Sequence, residues 1–176
     1  MLNPNMTADV PSSDDGACKE QGFGYLCCAK FEIRTIDEAR RLAAFLSSAC
    51  PELGMAQIGL LELLVNSVEH GNLGITYDEK TELVANGEWL DEIERRLGSP
   101  QYAARRSTVA FEQDRAGLRI SIQDEGDGFD PTPFMTDTDE FSFAAHGRGI
   151  LLARKIGFSS LVYEDGGRRV VVTLDF

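Results

Sequence analysis

The chain has 176 residues and is 43% hydrophobic, enough for one domain with a sizeable core and too apolar for a disordered polymer. Its 17 basic and 29 acidic residues leave a net charge of −12, a surface that repels phosphate backbones and anionic membranes, so neither nucleic acid nor a membrane is an expected partner. No apolar run approaches the ~18 residues that a membrane-spanning helix needs.

Met1 to Gly22 is polar and acidic, with Pro4, Pro11, Asp14 and Asp15, and reads as a flexible tail. It lacks the basic start and apolar centre of a signal peptide, so a soluble cytoplasmic protein is expected. Of the four cysteines, Cys18, Cys27, Cys28 and Cys50, no two have metal-site spacing, and reduced thiols are expected.

Gly24 to Arg34 has strand character, with Phe31 and Ile33 alternating with Lys30, Glu32 and Arg34. Thr35-Ile-Asp-Glu38 is a capping box that opens a helix, with Ala39, Leu42, Ala43, Phe45 and Leu46 on its apolar side and a stop before Pro51. A second helix is expected from about Met55 to His70, stopping at Gly71. Ile58, Leu60, Leu61, Leu64, Val65 and Val68 fall on one broad face of it, with Glu62, Asn66, Glu69 and His70 as a narrow polar stripe beside them. Tyr77 to Arg106 reads as highly charged helix, with Asp78 as a cap, a break at Gly87 and a second helix from Glu88 to Leu97.

The remainder reads as sheet with one helix. Ser107 to Gln113 and Leu118 to Asp124 alternate as strands across a turn at Asp114–Gly117. Residues 125–146 read as an irregular loop, and Gly147 to Ile156 as a helix opened by glycines. Ser160 to Glu164 and Arg168 to Phe176 form a hairpin across Asp165-Gly166-Gly167.

Three motifs carry chemistry. Glu62 and Asn66 are four apart on a helix, so their side chains meet. A carboxylate can orient or deprotonate a hydroxyl, and an amide oxygen suits Mg²⁺. The same stripe also fits the solvated edge of an amphipathic helix. Asp124-Glu-Gly126-Asp-Gly128 leaves a strand for a glycine-rich turn, where a carboxylate can accept a hydrogen bond from an exocyclic amine and glycines allow close approach. It also fits an acidic turn. The order does not match a calcium loop. Gly147-Arg148-Gly149 opens a helix whose N–H groups suit phosphate, with Arg148 as a clamp, or it is a flexible joint. From Asp124 to Gly147 there are seven Asp or Glu and no Lys or Arg. That segment would need Mg²⁺, Arg148 and backbone donors to hold a polyphosphate.

In this order the motifs resemble those of the GHKL ATPases, the superfamily of gyrase, histidine kinases, a mismatch-repair ATPase and a heat-shock chaperone. Within it the chain looks most like the small anti-sigma-factor serine/threonine kinases. Glu-x-x-x-Asn with His70-Gly71 is similar to the N box, Asp-x-Gly-x-Gly continued by Phe-Asp-Pro to the G1 box, and Gly-x-Gly to the G2 box, over roughly residues 24–176.

The resemblance implies a Bergerat-type α/β (α+β) two-layer sandwich, a mixed, mostly antiparallel sheet covered by helices. It implies one ATP-binding domain over 23–176, with a helical insert at about 76–106 and an ATP lid at about 131–146. By the match, Glu62 is the general base and Asn66 the Mg²⁺ ligand. His70 lines the site, Asp124 reads the adenine amine, and Gly126 and Gly128 border the base. Gly147, Arg148 and Gly149 contact phosphates, and Thr173 helps Asp124 hold adenine.

ATP and Mg²⁺ are the implied cofactors. The implied partners are an antagonist protein of the anti-sigma-factor kind and a sigma factor, and a homodimer is allowed. The implied function is phosphorylation of the antagonist in partner-switching signalling. The alternative is a non-catalytic, ATP-gated protein-binding module. The insert is longer than in compact anti-sigma kinases, and the acidic lid lacks a lysine that some relatives carry. No phosphoacceptor-histidine helix is visible, so a complete histidine kinase is not expected.

Overall fold

Alternation of apolar and polar residues builds five strands: β1 (Cys28–Ile33), β2 (Ser107–Gln113), β3 (Gly117–Gln123), β4 (Ser160–Glu164) and β5 (Arg169–Asp175). The structure, a computed structural model, describes residues 26–135, 148–155 and 157–176. The expected tail and most of the expected lid lie outside these residues. The strand order is β1-β2-β3-β5-β4. The two-layer α+β sandwich forms as expected, and its sheet, expected to be mostly antiparallel, is antiparallel in all four ladders.

Register sets the inner face. Phe31 pairs with Val109, Val109 with Ile122, and Ile122 with Val170. Phe111, Ile120 and Val172 continue the same face and are buried. The outer face carries Lys30, Glu112, Arg119 and Thr173, so the sheet is covered on one side.

The covering layer is α1 (Ile36–Ala49), α2 (Ala56–Asn66) and α6 (Arg148–Lys155), with α2 packed between the other two. Helix α1 starts at the expected capping box: Thr35 Oγ1 accepts from Glu38 N at 3.1 Å, and Thr35 N donates to Glu38 Oε2 at 3.0 Å. Leu42 and Leu46 are buried, whereas Phe45, expected on the apolar side, is 49% exposed and meets Phe31 edge-on. On α2 the buried residues are Ala56, Gly59, Leu60, Leu63 and Leu64, while Ile58 faces outward. Gly59 lets α6 come close, since a Cβ there would lie 2.6 Å from Ala153 Cα.

The second helix does not run unbroken to a stop at Gly71. α2 ends at Asn66, and Ser67–Asn72 follows as a π-helical turn that passes through Gly71. Widening the turn changes the angle between successive side chains, so Glu69 leaves the polar stripe and becomes fully buried.

The charged stretch after it forms α3 (Tyr77–Asn86) and α4 (Trp89–Gly98). Asp78 is not the cap of α3. Thr76 is, in a capping box with Glu79, because only its hydroxyl precedes the first helical residue. Gly87 ends α3 with φ at +75°, a conformation that favours glycine. A single turn, α5 (Thr132–Met135), follows the glycine-rich loop. No helix among the described residues is long and apolar enough to cross a membrane.

Candidate functional site

A cavity of about 340 Å³ opens between α2 with its π-helical turn, the inner ends of β3 and β5, and the loop after β3. Its walls are apolar at Leu63, Ile122, Ile150 and Val170. Its polar groups include Asn66, His70, Asp124 and Asp127, a combination typical of a small-molecule site.

At one end, just past β3, Asp124 lines the cavity, turned to the inner face by strand alternation. Burial pushes its carboxyl up to about 6, partly opposed by a hydrogen bond from Gly126 N to Oδ1 at 2.9 Å. A half-buried carboxylate held by backbone donors from Gly126 and its own residue keeps acceptor capacity for a ligand amine.

The glycines around Asp124 are required by close packing. A Cβ on Gly71 would lie 2.4 Å from Asp124 Cγ, and one on Gly126 would lie 2.2 Å from the Gly71 carbonyl oxygen. Gly71 therefore serves the approach of the two motifs rather than a helix stop. Of the two glycines expected to border a base, Gly128 lines the cavity, with φ at +79° and its backbone against the Gly166 carbonyl. Gly126 is buried against Gly71 instead.

His70 lines the cavity beside Asn66. Its Nδ1 lies 2.5 Å from the Ile75 carbonyl, which fixes that nitrogen as the donor in the neutral ring, and burial lowers its pKa below 6.5. Nε2 is buried, 4.0 Å from Glu69 Oε2, and has no hydrogen-bond partner among the described residues.

At the other end, Glu62 sits against the first turn of α6. A Cβ on Gly149 would lie 2.5 Å from Glu62 Oε2. Glu62 is beside the cavity lining and Asn66 is part of it, as the i, i+4 spacing requires. Arg148 begins α6, and its side chain and Gly147 lie outside the described residues.

Thr173 is not with Asp124. It pairs with Arg119 on the outer face, its hydroxyl lies 2.7 Å from Ser160 Oγ, and it lines a separate shallow groove. Strand alternation is the reason: Val170 and Val172 point inward, so Thr173 points outward.

Several site residues gave little sequence signal. Asn72, almost fully buried, accepts from Glu125 N at 2.9 Å and donates to Ser107 Oγ at 2.8 Å, tying the glycine-rich loop to the π-helical turn and β2. A polar residue directly after His70-Gly71, ahead of an apolar stretch, was its only cue. Tyr77, Phe129 and Tyr163 add aromatic walls, and burial raises the Tyr77 hydroxyl to about 12.

Among the described residues no group of three or more His, Cys, Asp or Glu could hold a metal ion. Asn66, in the cavity wall, could supply one amide oxygen to a cation such as Mg²⁺, whose shell phosphate oxygens and water would complete. A family model described as a histidine kinase-like ATPase domain matches residues 32–175. No protein of curated function matches the chain.

Proposed function

The chain belongs to the histidine kinase-like ATPase domain family, within the GHKL-type ATPase superfamily, and from that premise we propose that it is a regulatory protein kinase. It binds ATP with Mg²⁺ and transfers the γ-phosphoryl group to a serine or threonine of a small antagonist protein, as anti-sigma-factor kinases do. The observation that carries this reading is one continuous arrangement. Asp124 and Asn66 line one cavity, and Glu62 lies against the first turn of α6, the helix whose Ile150 lines it too.

The place of each residue supports the role given to it. Asp124, ionised above about pH 6, accepts a hydrogen bond from the base amine. Apolar walls at Ile122, Ile150 and Val170 exclude water from the base. The N–H groups at the start of α6, with Arg148, bind phosphate oxygens. Glu62 accepts or orients the proton of the incoming hydroxyl. Bound Mg²⁺ supplies charge neutralisation at the phosphates.

Incubation with γ-labelled ATP, Mg²⁺ and a small antagonist-type acceptor protein is expected to label the acceptor. Glu62→Ala should cut the labelling rate by on the order of 100-fold with ATP affinity kept. Equal labelling by the variant would remove Glu62 from this role. ATP that stays intact while partner affinity changes would favour an ATP-gated binding module, a reading motivated by the seven acidic residues from Asp124 to Gly147.

A further inference from the structure

The α3–α4 insert supplies groups to the cavity and is anchored beside it. Tyr77, the first residue of α3, lines the same cavity as Asp124 and Asn66. Its ring centroid is 4.2 Å from that of His70 and 6.1 Å from that of Phe134 in α5. Phe134 lies 5.9 Å from Phe129, and Phe129 lies 5.1 Å from Tyr163 in β4. The rings form one series running from the π-helical turn through the insert and loop to the sheet.

A buried polar tie holds this arrangement. The Glu69 carboxylate is fully buried, accepting from Lys80 Nζ of α3 at 2.6 Å and from Trp89 Nε1 of α4 at 2.5 Å. Glu69 Oε2 is also 4.0 Å from His70 Nε2. Arg96 of α4 adds a bond to the Leu73 carbonyl at 2.9 Å. A buried carboxylate that loses a donor is left uncompensated, so both insert helices are fastened to the residue next to the cavity wall.

We propose that the α3–α4 insert is a working part of the nucleotide site: Tyr77 is the wall on which the base stacks, and the Glu69–Lys80–Trp89 tie positions it. This rests on the nucleotide reading of the cavity. An aromatic face stacks on any flat base and adds affinity without selecting among bases. Because the tie runs from the wall to both helices, filling the cavity and the setting of the insert bias each other equally. A protein that binds one setting of the insert more tightly than the other would therefore change nucleotide affinity.

Trp89 is the only tryptophan in the chain, so its emission reports the tie without a label. ATP with Mg²⁺ is titrated into the wild type, Tyr77→Phe, Tyr77→Ala, Lys80→Gln and, on the exposed side of α3, Glu82→Gln, following both heat and Trp89 emission. The wild type is expected to shift its emission with the same midpoint as the heat. Tyr77→Phe should bind within about twofold of the wild type and Tyr77→Ala on the order of tenfold more weakly. Lys80→Gln should lose affinity and most of the emission change, and Glu82→Gln should lose neither.

Emission indifferent to saturating ATP overturns the inference, as does wild-type affinity in both Tyr77→Ala and Lys80→Gln, while ATP binding itself stands. If Tyr77→Ala does not fold, Lys80→Gln and the wild-type emission decide. No heat of binding in the wild type overturns the nucleotide reading together with this one.

Discussion

The two ends of the cavity are built by different means. At the Asp124 end, backbone meets backbone: Gly126 packs on the Gly71 carbonyl, and Asn72 pins Glu125 N to the π-helical turn. At the α6 end the neighbour of Gly149 is the tip of a flexible side chain, Glu62. One end is therefore fixed by the fold before any ligand arrives. The other is lined by a side chain, Glu62, that can move when a ligand binds. A kinase-like site gains from this division, since recognition favours a preformed pocket and transfer requires adjustment.

The sharpest way to break this comparison is to add one methyl group at each end. Gly126→Ala puts a Cβ against a carbonyl oxygen that has no rotamer to escape through. It is expected to cost about 3 kcal/mol, seen as a lowered Tm, and to abolish ATP binding. Gly149→Ala displaces chiefly the Glu62 carboxylate, with a milder contact at Glu62 Cβ. It should change stability by less than about 1 kcal/mol, because alanine also favours helix, keep ATP affinity, and slow phosphoryl transfer. Equal losses of stability in the two variants would show that the ends do not differ in rigidity.

Asp124 gives the next largest effect and a pH signature. Its folded pKa of about 6 lies above the free value of 3.8, so the native state binds the proton more tightly than the unfolded chain. The stability this contributes is fully present below about pH 4 and is lost as pH rises through about 6, a change of roughly 1–3 kcal/mol. His70, with its pKa lowered by burial, acts in the opposite sense, favouring the fold as pH rises. Comparison with Asp124→Asn cancels that contribution: the apo variant should gain stability over the wild type as pH rises from about 4 to about 7. On the proposed reading, in which the ionised carboxylate is the acceptor, ATP affinity of the wild type should rise across the same interval. Calorimetric titrations at about pH 5 and about pH 7.5 test this; an affinity independent of pH would exclude the ionised carboxylate as acceptor.

The smallest effect belongs to Thr173. Lying on the outer face, it should tolerate Thr173→Ala within about 0.5 kcal/mol with ATP affinity unchanged. A lost affinity would contradict its position on the sheet.

The sequence alone determined where the strands lie, the capping box at Thr35, the break at Gly87 and the three motifs in order, because these depend on residues a few positions apart. Hydrophobic period and turn chemistry are local properties, and the i, i+4 pairing of Glu62 with Asn66 follows from helix geometry. Tertiary structure decided the rest. It converted the helix after Asn66 into a π-helical turn, which moved Glu69 from an expected polar stripe into a buried tie with the insert. It set the parity of β5, which removed Thr173 from Asp124. It gave Gly71 and Gly126 their purpose, since each is required by a backbone or side chain more than 50 positions away or brought in from another motif. Such constraints arise from close packing between segments distant along the chain, and no local pattern of residues encodes that proximity.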